Sequence, residues 1–268
     1  MSNELTEARA ALLDAIQALE AHIDALVLVG AQAIYLHTGK AQVELAEYTT
    51  DGDLVVDPEL LGVSPLIEEA LAAARFTRVF NAIGTWRSPR NVPVDLMVPA
   101  AVAAGTGRRS VQIPPHDSNS VRRTRGLEAA LVDNSRMSIA ALDPADSRIF
   151  EISVAGPAAL LVAKLHKISD RIPNPSRLDN KDAHDVYRIL AAIETRALAN
   201  SIGRLLVSDL SAAVTAEGID LLGELFVAGP GAVGSAMAGA AEEVLGDPAS
   251  VAEAVSLLAK DLYATLRV

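Results

Sequence analysis

A short apolar run that ends in a glycine constrains the fold of this chain more than any other feature. Leu26–Val29 is rich in residues that favour β-strands, Gly30 interrupts the run, and Ala31–His37 has the composition of a helix. In such a strand–turn–helix unit the first backbone N–H groups of the helix lack partners within the helix. These donors and the helix dipole favour negative charge, so the pattern predicts an anion-binding turn at Gly30–Gln32.

Two carboxylates follow this unit at the start of a second predicted strand. Asp51 and Asp53 directly precede the apolar run Leu54–Val56. Residues i and i+2 of an extended chain share a face, so both side chains are expected to point the same way. Carboxylates beside a phosphate-binding turn are the ligands that a magnesium–nucleotide complex needs. The other interpretation is a surface turn, which Gly52 between the two aspartates also suits.

A third carboxylate favours the interpretation as a metal site. Asp95 is the single charge within the strand-like stretch Val92–Val98. Acidic side chains are seldom buried without a partner, and a metal shared with Asp51 and Asp53 would be such a partner. The sequence therefore predicts a Mg²⁺ site made of these three aspartates.

The composition restricts the class of protein. A chain of 268 residues forms one large or two small domains, and with aromatic residues at only 3% its core must rely on Ala, Leu and Val. No apolar run reaches the roughly 18 residues that a membrane span needs, and the N-terminus lacks the pattern of a signal peptide. The absence of cysteine excludes disulfides and thiolate metal sites. We expect a soluble, cytoplasmic protein without a membrane partner.

The net charge of −11 is unevenly distributed. Residues 75–136 contain ten Arg, no Lys and four acids, a balance of +6, which leaves −17 for the rest of the chain. Such asymmetry indicates a phosphate-binding face on an acidic protein. The arginines predicted to contact nucleic acid are Arg108, Arg109, Arg122, Arg123 and Arg125. The other interpretation is that the arginines of this segment pair with acids elsewhere in the fold.

The order of predicted elements divides the chain near Ala155. Residues 1–155 combine predicted strands and helices, whereas residues 156–268 are almost wholly helical. The expected fold class is α+β, with a mixed sheet in the first domain, 1–155, and an all-α second domain, 156–268.

Two predicted helices at the start of the second domain carry opposite charges. Lys164, Lys167 and Arg171 recur at i, i+3 and i+7 and so share one helix face. Asp182 and Asp185 share a face of the next helix. By themselves these residues favour a plain layer of ion pairs between the helices.

The motifs in this order resemble the AbiEii/MenT nucleotidyltransferase toxins, a type IV toxin–antitoxin family with a polymerase β-like fold. The resemblance rests on the strand followed by Gly30-Ala31, Asp51-x-Asp53, the strand residue Asp95, Lys164-Leu-x-x-x-x-x-Arg171 and Lys181-Asp-x-x-Asp185, between Leu26 and about Leu190. It implies a nucleotidyltransferase-like first domain whose active site the helical domain completes. Ala31 departs from the family pattern, which often has Gly or Ser there, so no hydroxyl reaches the phosphate from this position.

The resemblance also implies a reaction and a role for each residue. An acceptor hydroxyl attacks the α-phosphate of a nucleoside triphosphate with the help of Mg²⁺, and pyrophosphate leaves. The implied acceptor is an RNA, the acceptor end of a tRNA, and a cognate antitoxin protein is a further implied partner. The implied catalytic residues are Asp51, Asp53, Lys164 and Asp182. The implied nucleotide-binding residues are Gly30, Ala31, Gln32, Lys167, Arg171 and Asp185.

Two other classes of protein are compatible with the sequence. A non-catalytic nucleotide- or RNA-binding protein would keep the fold; the intact Asp51, Asp53 and Asp95 argue against it, and Ala31 argues for it. A helical interaction protein, whose acidic patches are only solvated, would show no metal dependence.

Overall fold

The computed structural model describes residues 3–39, 49–243 and 246–267, which belong to two compact units. The first unit comprises Met1–Ala33 and Glu47–Ala155, and the second comprises Ile34–Ala46 and Gly156–Val268. Residues 34–39 therefore group with the second unit, whereas the sequence placed them in the first domain. No helix in the described ranges is long and apolar enough to cross a membrane.

A mixed sheet forms the centre of the first unit. Its strands are β1 (Leu26–Val29), β2 (Gly52–Val56), β3 (Thr77–Arg78), β4 (Thr85–Arg87), β5 (Pro93–Pro99), β6 (Arg122–Thr124), β7 (Asn134–Ala140) and β8 (Ile149–Ala155). The helices of this unit are α1 (Asn3–Ala18), α3 (Ile67–Ala73) and α4 (Glu128–Val132), with a 3₁₀ turn at Glu20–Ala25. Helix α2 (Gly30–Thr38) begins in this unit.

The strand order is β3-β4-β5-β2-β1-β8-β7, and β6 pairs with β5. Strand β1 runs antiparallel to β2 and parallel to β8, while β2 and β5 are parallel. Strand β5 has β4 antiparallel beside its first half and β6 parallel beside its second half. Together with the helical second unit, this mixed sheet confirms the predicted α+β class.

Helix α1 covers the part of the sheet where the predicted carboxylates lie. Its buried face, which includes Leu12 and Ile16, contacts β2 and β5. Gly52 permits a close approach, because an added Cβ there would lie 3.3 Å from the Cβ of Leu12. At this contact a small residue lets the helix and the sheet pack closely without a large aromatic side chain between them.

Strand β7 and helix α4 have no counterpart in the sequence-based prediction. Strand β7 pairs along its whole length with β8 at the edge of the sheet, and all but two of its residues are exposed. An exposed edge strand needs no alternation of apolar and polar residues, so the periodicity that reveals half-buried strands is absent here.

The described part of the second unit is helical. Its α-helices are α5 (Pro157–Arg171), α6 (Asn180–Ala192), α7 (Thr195–Leu206), α8 (Ala212–Leu222), α9 (Val233–Ala240) and α10 (Pro248–Thr265). Shorter turns are the 3₁₀ helix Pro175–Arg177 and the π-helix Gly223–Val227.

The sequence pattern over residues 181–199 is that of one continuous helix, but the structure has two helices there, α6 and α7. Ile193 is extended, with φ −104° and ψ 130°, and ends α6. The carboxylate of Glu194 then accepts a hydrogen bond from the N–H of Ala197 and caps α7. Neither Gly nor Pro marks this break, which explains why the sequence pattern did not reveal it.

Candidate active site

One register row across the sheet brings two of the predicted carboxylates side by side. Asp53 on β2 lies opposite Val29 on β1 and, on its other side, opposite Asp95 on β5. Asp95 lies in turn opposite Thr85 on β4. Neighbouring strands are about 4.8 Å apart. The end of β1, where the chain turns into α2, is therefore in the same row as both aspartates.

Gly30 holds the turn from β1 into α2 against the carboxylate of Asp53. Its φ of +71° lies in the left-handed region, which glycine adopts without steric cost. A Cβ placed at this position would overlap the Asp53 carboxylate. The next residues, Ala31 and Gln32, are buried. The predicted anion-binding turn therefore has a carboxylate at its edge, and a phosphate that approaches it needs a cation to offset that charge.

Asp51 is fixed through both its backbone and its side chain. The amide Nε2 of Gln32 donates to the carbonyl oxygen of Asp51 at 2.9 Å, and the Thr49 hydroxyl donates to Oδ1 of Asp51 at 2.6 Å. The amide oxygen of Gln32 accepts from Nε of the buried Arg9 at 2.7 Å. The Gln32 side chain is thus hydrogen-bonded within the protein. The predicted contact of Gln32 with a nucleotide would therefore involve its backbone N–H.

Asp95 has protein partners that the sequence did not reveal. Its Oδ2 lies 2.5 Å from Nη1 of Arg122, and its Oδ1 accepts from the Thr85 hydroxyl at 2.6 Å. Arg122 is the register partner of Met97, two residues beyond Asp95 on β5, which puts Arg122 on the same face as Asp95. Asp95 thus has a protein partner in Arg122, so its position in the strand does not require a metal.

The donor chemistry of Asp51 and Asp53 fits Mg²⁺. This ion takes hard oxygen ligands and is usually held by one or two carboxylates together with the phosphates of a substrate. No group of three or more His, Asp or Glu residues within the described ranges could hold a metal ion by itself. The site therefore suits a metal that binds together with a nucleotide, and metal binding by Asp51, Asp53 and Asp95 stays a prediction.

The arginines predicted to contact nucleic acid come together around β6. Arg122 and Arg123 lie on this strand and Arg125 follows it. The neighbouring segment 108–110 runs beside the strand, because Ser110 forms a bridge with Arg122 and the N–H of Arg123 donates to the carbonyl of Arg109 at 2.7 Å. The side chains of Arg108, Arg109 and Arg125 are exposed. The fold thus gathers into one place residues that are separated in the sequence.

Several arginines of the segment 75–136 are engaged within the protein, as the alternative interpretation expected. The guanidinium of Arg123 donates to the carbonyl of Gly105 at 2.6 Å, and that of Arg122 pairs with Asp95. Further ion pairs are Arg78–Asp117 at 3.1 Å, Arg90–Asp14 at 3.9 Å and Arg136–Asp24 at 3.3 Å. The exposed side chains of Arg108 and Arg109 are consequently better placed for a phosphate contact than the guanidinium groups of Arg122 and Arg123.

A buried ion-pair layer joins α5 and α6 within the second unit. The ammonium of Lys164 lies 2.6 Å from Oδ1 of Asp182 and 2.7 Å from Oδ2 of Asp185. The exposed fractions of these three side chains are 7%, 4% and 1%. The contact with Asp185 is an ion pair without hydrogen-bond alignment. Lys164 is therefore enclosed between two carboxylates.

Two more cations approach the same layer from its outer side. The ammonium of Lys167 lies 2.9 Å from Oδ1 of Asp182, and Nη1 of Arg171 lies 2.8 Å from its Oδ2. Lys167 is 42% exposed and Arg171 is partly exposed, unlike Lys164. The structure thus shows the interhelical ion-pair layer that the charge pattern favoured, and a catalytic role of its residues stays a prediction.

Lys164 and Asp182 keep their charges although burial favours the neutral form of each side chain. Burial lowers the pKa of Lys164, but Asp182 and Asp185 outweigh it and raise the pKa well above its ordinary value. Burial raises the pKa of Asp182, but Lys164 and Lys167 hold it well below its ordinary value. A carboxylate with so low a pKa is a weak general base at neutral pH, so the arrangement suits Asp182 to the positioning of cations.

The chain matches no protein-family model and none of the curated proteins. Among solved structures, it is similar to an antigenic nucleotidyltransferase-like protein from Paracoccidioides brasiliensis, with 16% sequence identity and a TM-score of 0.37. The match covers 80% of this chain and 94% of that chain. So distant a likeness does not establish membership of the AbiEii/MenT family, and no functional conclusion rests on it.

Replacement of Lys164 tests the ion-pair layer. Lys164→Ala leaves two buried carboxylates without their shared cation, and the free energy of unfolding should fall by about 3–5 kcal/mol. Chemical denaturation followed by circular dichroism measures this loss. The matched control is Lys167→Ala, which removes a cation at the exposed rim and should change the stability by about 0–1 kcal/mol. A loss of the same small size in both variants would contradict the conclusion that Lys164 stabilises the layer more than Lys167 does.

Proposed function

We propose that this protein is a nucleotidyltransferase, which moves a nucleoside monophosphate from a nucleoside triphosphate to an acceptor hydroxyl. The observation that supports this most is the close contact between the Gly30 turn and the Asp53 carboxylate. It unites a helix N-terminus, which favours phosphate, with a strand carboxylate, which favours a metal cation. A magnesium–nucleotide complex carries both of these charges in one ligand.

Each residue of this site has a task in the proposed reaction. Asp51 and Asp53 would hold a Mg²⁺ ion, which would supply positive charge to the reacting phosphate when it is bound. The N–H groups at the start of α2 donate to a phosphate oxygen. Thr49 and Gln32 keep Asp51 in position through their hydrogen bonds to it.

The Arg122–Asp95 ion pair has an electrostatic part in the proposal. Asp95 lies next to Asp53 in the register row, where an uncompensated carboxylate would repel the triphosphate. The guanidinium of Arg122 offsets that charge at 2.5 Å. The pair thus lowers the negative charge that a bound nucleotide would meet next to Asp53.

The resemblance assigns phosphate-contacting cations to the second unit, and the ion-pair layer within that unit shows which of them are accessible. Cations that neutralise a triphosphate must be able to exchange their protein partner for a phosphate oxygen. Lys167 and Arg171 reach the surface of the ion-pair layer, whereas Lys164 is enclosed by Asp182 and Asp185. Lys167 and Arg171 are therefore the proposed phosphate contacts, and Lys164 is the residue that holds the layer together.

The proposed acceptor is RNA. The exposed arginines around β6 support this choice, because they concentrate positive charge on a protein with a net charge of −11. The acceptor end of a tRNA, a role as a toxin and a cognate antitoxin follow from the resemblance alone and are proposed on that basis.

A second candidate function is non-catalytic binding of a nucleotide or RNA. It is favoured by the Arg122–Asp95 pair, because a carboxylate that is paired with a guanidinium is a weaker ligand for a metal. This candidate predicts that the protein binds nucleoside triphosphates and never transfers them.

Transfer of labelled nucleotide tests the proposed function. The protein is incubated with Mg²⁺, total tRNA and each of the four radiolabelled nucleoside triphosphates in turn, and label in RNA is counted. We expect transfer with at least one nucleotide, and we expect Asp53→Asn to lower it by at least about 100-fold, a loss typical of one removed electrostatic contact. The control is Asp57→Asn, just beyond the other end of β2, where the carboxylate accepts from the N–H of Glu59.

The outcomes of this assay separate the two candidates. Nucleotide binding without transfer by the wild-type protein would favour the non-catalytic function. Full transfer by Asp53→Asn would contradict the assignment of the site, even if the protein is a nucleotidyltransferase. Equal losses in Asp53→Asn and Asp57→Asn would indicate damage to the strand instead of a lost ligand.

The salt dependence of RNA binding tests the arginines. Each phosphate contact of a single strand contributes about 0.7 to the slope of log affinity against log salt concentration. Joint replacement of Arg108 and Arg109 by Ala should flatten that slope by about 1.4, twice this contribution. Arg136→Ala is the control, because Arg136 belongs to the same segment but lies in an exposed pair with Asp24. An unchanged slope in the double variant would refute the predicted contacts.

A further inference from the structure

An exposed aromatic side chain near the arginines is not used by the proposed reaction. Phe80 is 89% exposed, more than any other large hydrophobic residue in the described ranges. The chain has only four Phe, and two of the others, Phe76 and Phe226, are buried. A side chain so exposed adds nothing to the core, and aromatic faces in water are favoured sites of stacking contacts.

The position of Phe80 is fixed relative to the candidate site by strand pairing. The N–H of Val79 donates to the carbonyl of Thr85 at 3.1 Å and so extends the pairing of β3 with β4. Thr85 lies opposite Asp95, and Asp95 lies opposite Asp53. Val79 is thus three strand spacings from Asp53. Because Phe80 directly follows Val79, its backbone lies about 15 Å from that of Asp53.

The turn that carries Phe80 packs directly on the arginine-rich strand β6. Gly84, in this turn, has a φ of +73°, and its N–H donates to the carbonyl of Asn119 at 3.1 Å. An added Cβ on Gly84 would lie 2.5 Å from the backbone nitrogen of Arg122. The exposed aromatic ring and the gathered arginines are therefore parts of one edge of the sheet.

We propose that Phe80 stacks on a base of a single-stranded nucleic acid whose phosphates contact the arginines around β6. Sites for single strands combine a positively charged track with aromatic side chains on which bases stack. Both parts are present at this edge, on a protein whose remaining charge is strongly negative. The inference rests on the proposed function for the direction of the strand. If the reacting hydroxyl lies at Asp53, the stacked base precedes the reacting end of the strand.

A fluorescent base tests the stacking directly. Short RNA and DNA strands of one sequence carry 2-aminopurine at successive positions counted from the 3′ end, and each is titrated with the full-length protein. Stacking on Phe80 should quench the fluorescence at one position. Phe80→Ala should abolish this quenching and weaken binding by about tenfold, whereas Phe80→Trp should preserve both. The control is Val207→Ala, which removes an exposed side chain from the helical unit.

The arms of the experiment distinguish this inference from the proposed function. Transfer that persists with an unchanged KM for the acceptor in Phe80→Ala would overturn the inference and leave the proposed function intact. Quenching that depends on residue 80 without any transfer would support the inference and count against the proposed function. An oligomeric state that changes in Phe80→Ala, with nucleic-acid binding unaffected, would show that Phe80 is a protein contact and overturn the inference.

Discussion

The close approach of Gly30 to the carboxylate of Asp53 is the contact on which the arrangement of the candidate active site depends. The positive φ of Gly30 lets the chain leave β1 and enter α2 without a side chain in the space that Asp53 occupies. The register of β1 with β2 fixes the carboxylate at that turn, and the register of β2 with β5 places Asp95 beside it. The register of three neighbouring strands thus brings the two aspartates to the start of a helix, and Gly30 leaves the space that the Asp53 carboxylate occupies there.

Charge compensation is the second constraint, and each unit meets it in its own way. In the first unit the side chain of Arg122, on the neighbouring strand β6, pairs with Asp95 on the same face of the sheet. In the second unit Lys164 lies between two buried aspartates, and two outer cations share one of them. A buried pair is strongly destabilised when one partner is removed, so residues at such positions can be essential for folding without any contact to a substrate. The exposed cations at the rim are the better candidates for ligand contacts.

The parts of this arrangement that depend on neighbours in sequence could be predicted, and the parts that depend on distant pairing could not. The run from Leu26 to Gly30 showed a strand, a turn and a helix because each signal is local. The partner of Asp95 was hidden because Arg122 belongs to a stretch without periodicity and reaches β5 only through strand pairing. Thr49 donates to Asp51 and Thr85 donates to Asp95, but no motif in the sequence indicates either contact. The exposure of Phe80 likewise could not be predicted, because it depends on the turn in which this residue lies and not on the apolar residue type.

A structure with manganese and a non-hydrolysable nucleoside triphosphate tests the central claim most directly, because manganese replaces magnesium at carboxylate sites and scatters anomalously. Our account places the anomalous peak at about 2.1 Å from carboxylate oxygens of Asp51 and Asp53, close to the spacing that Mg²⁺ keeps. It also places a phosphate of the analogue at the start of α2, and it expects the peak to vanish in Asp53→Asn. A bound analogue whose metal lies away from both aspartates, or whose phosphates lie away from the Gly30 turn, would contradict the account.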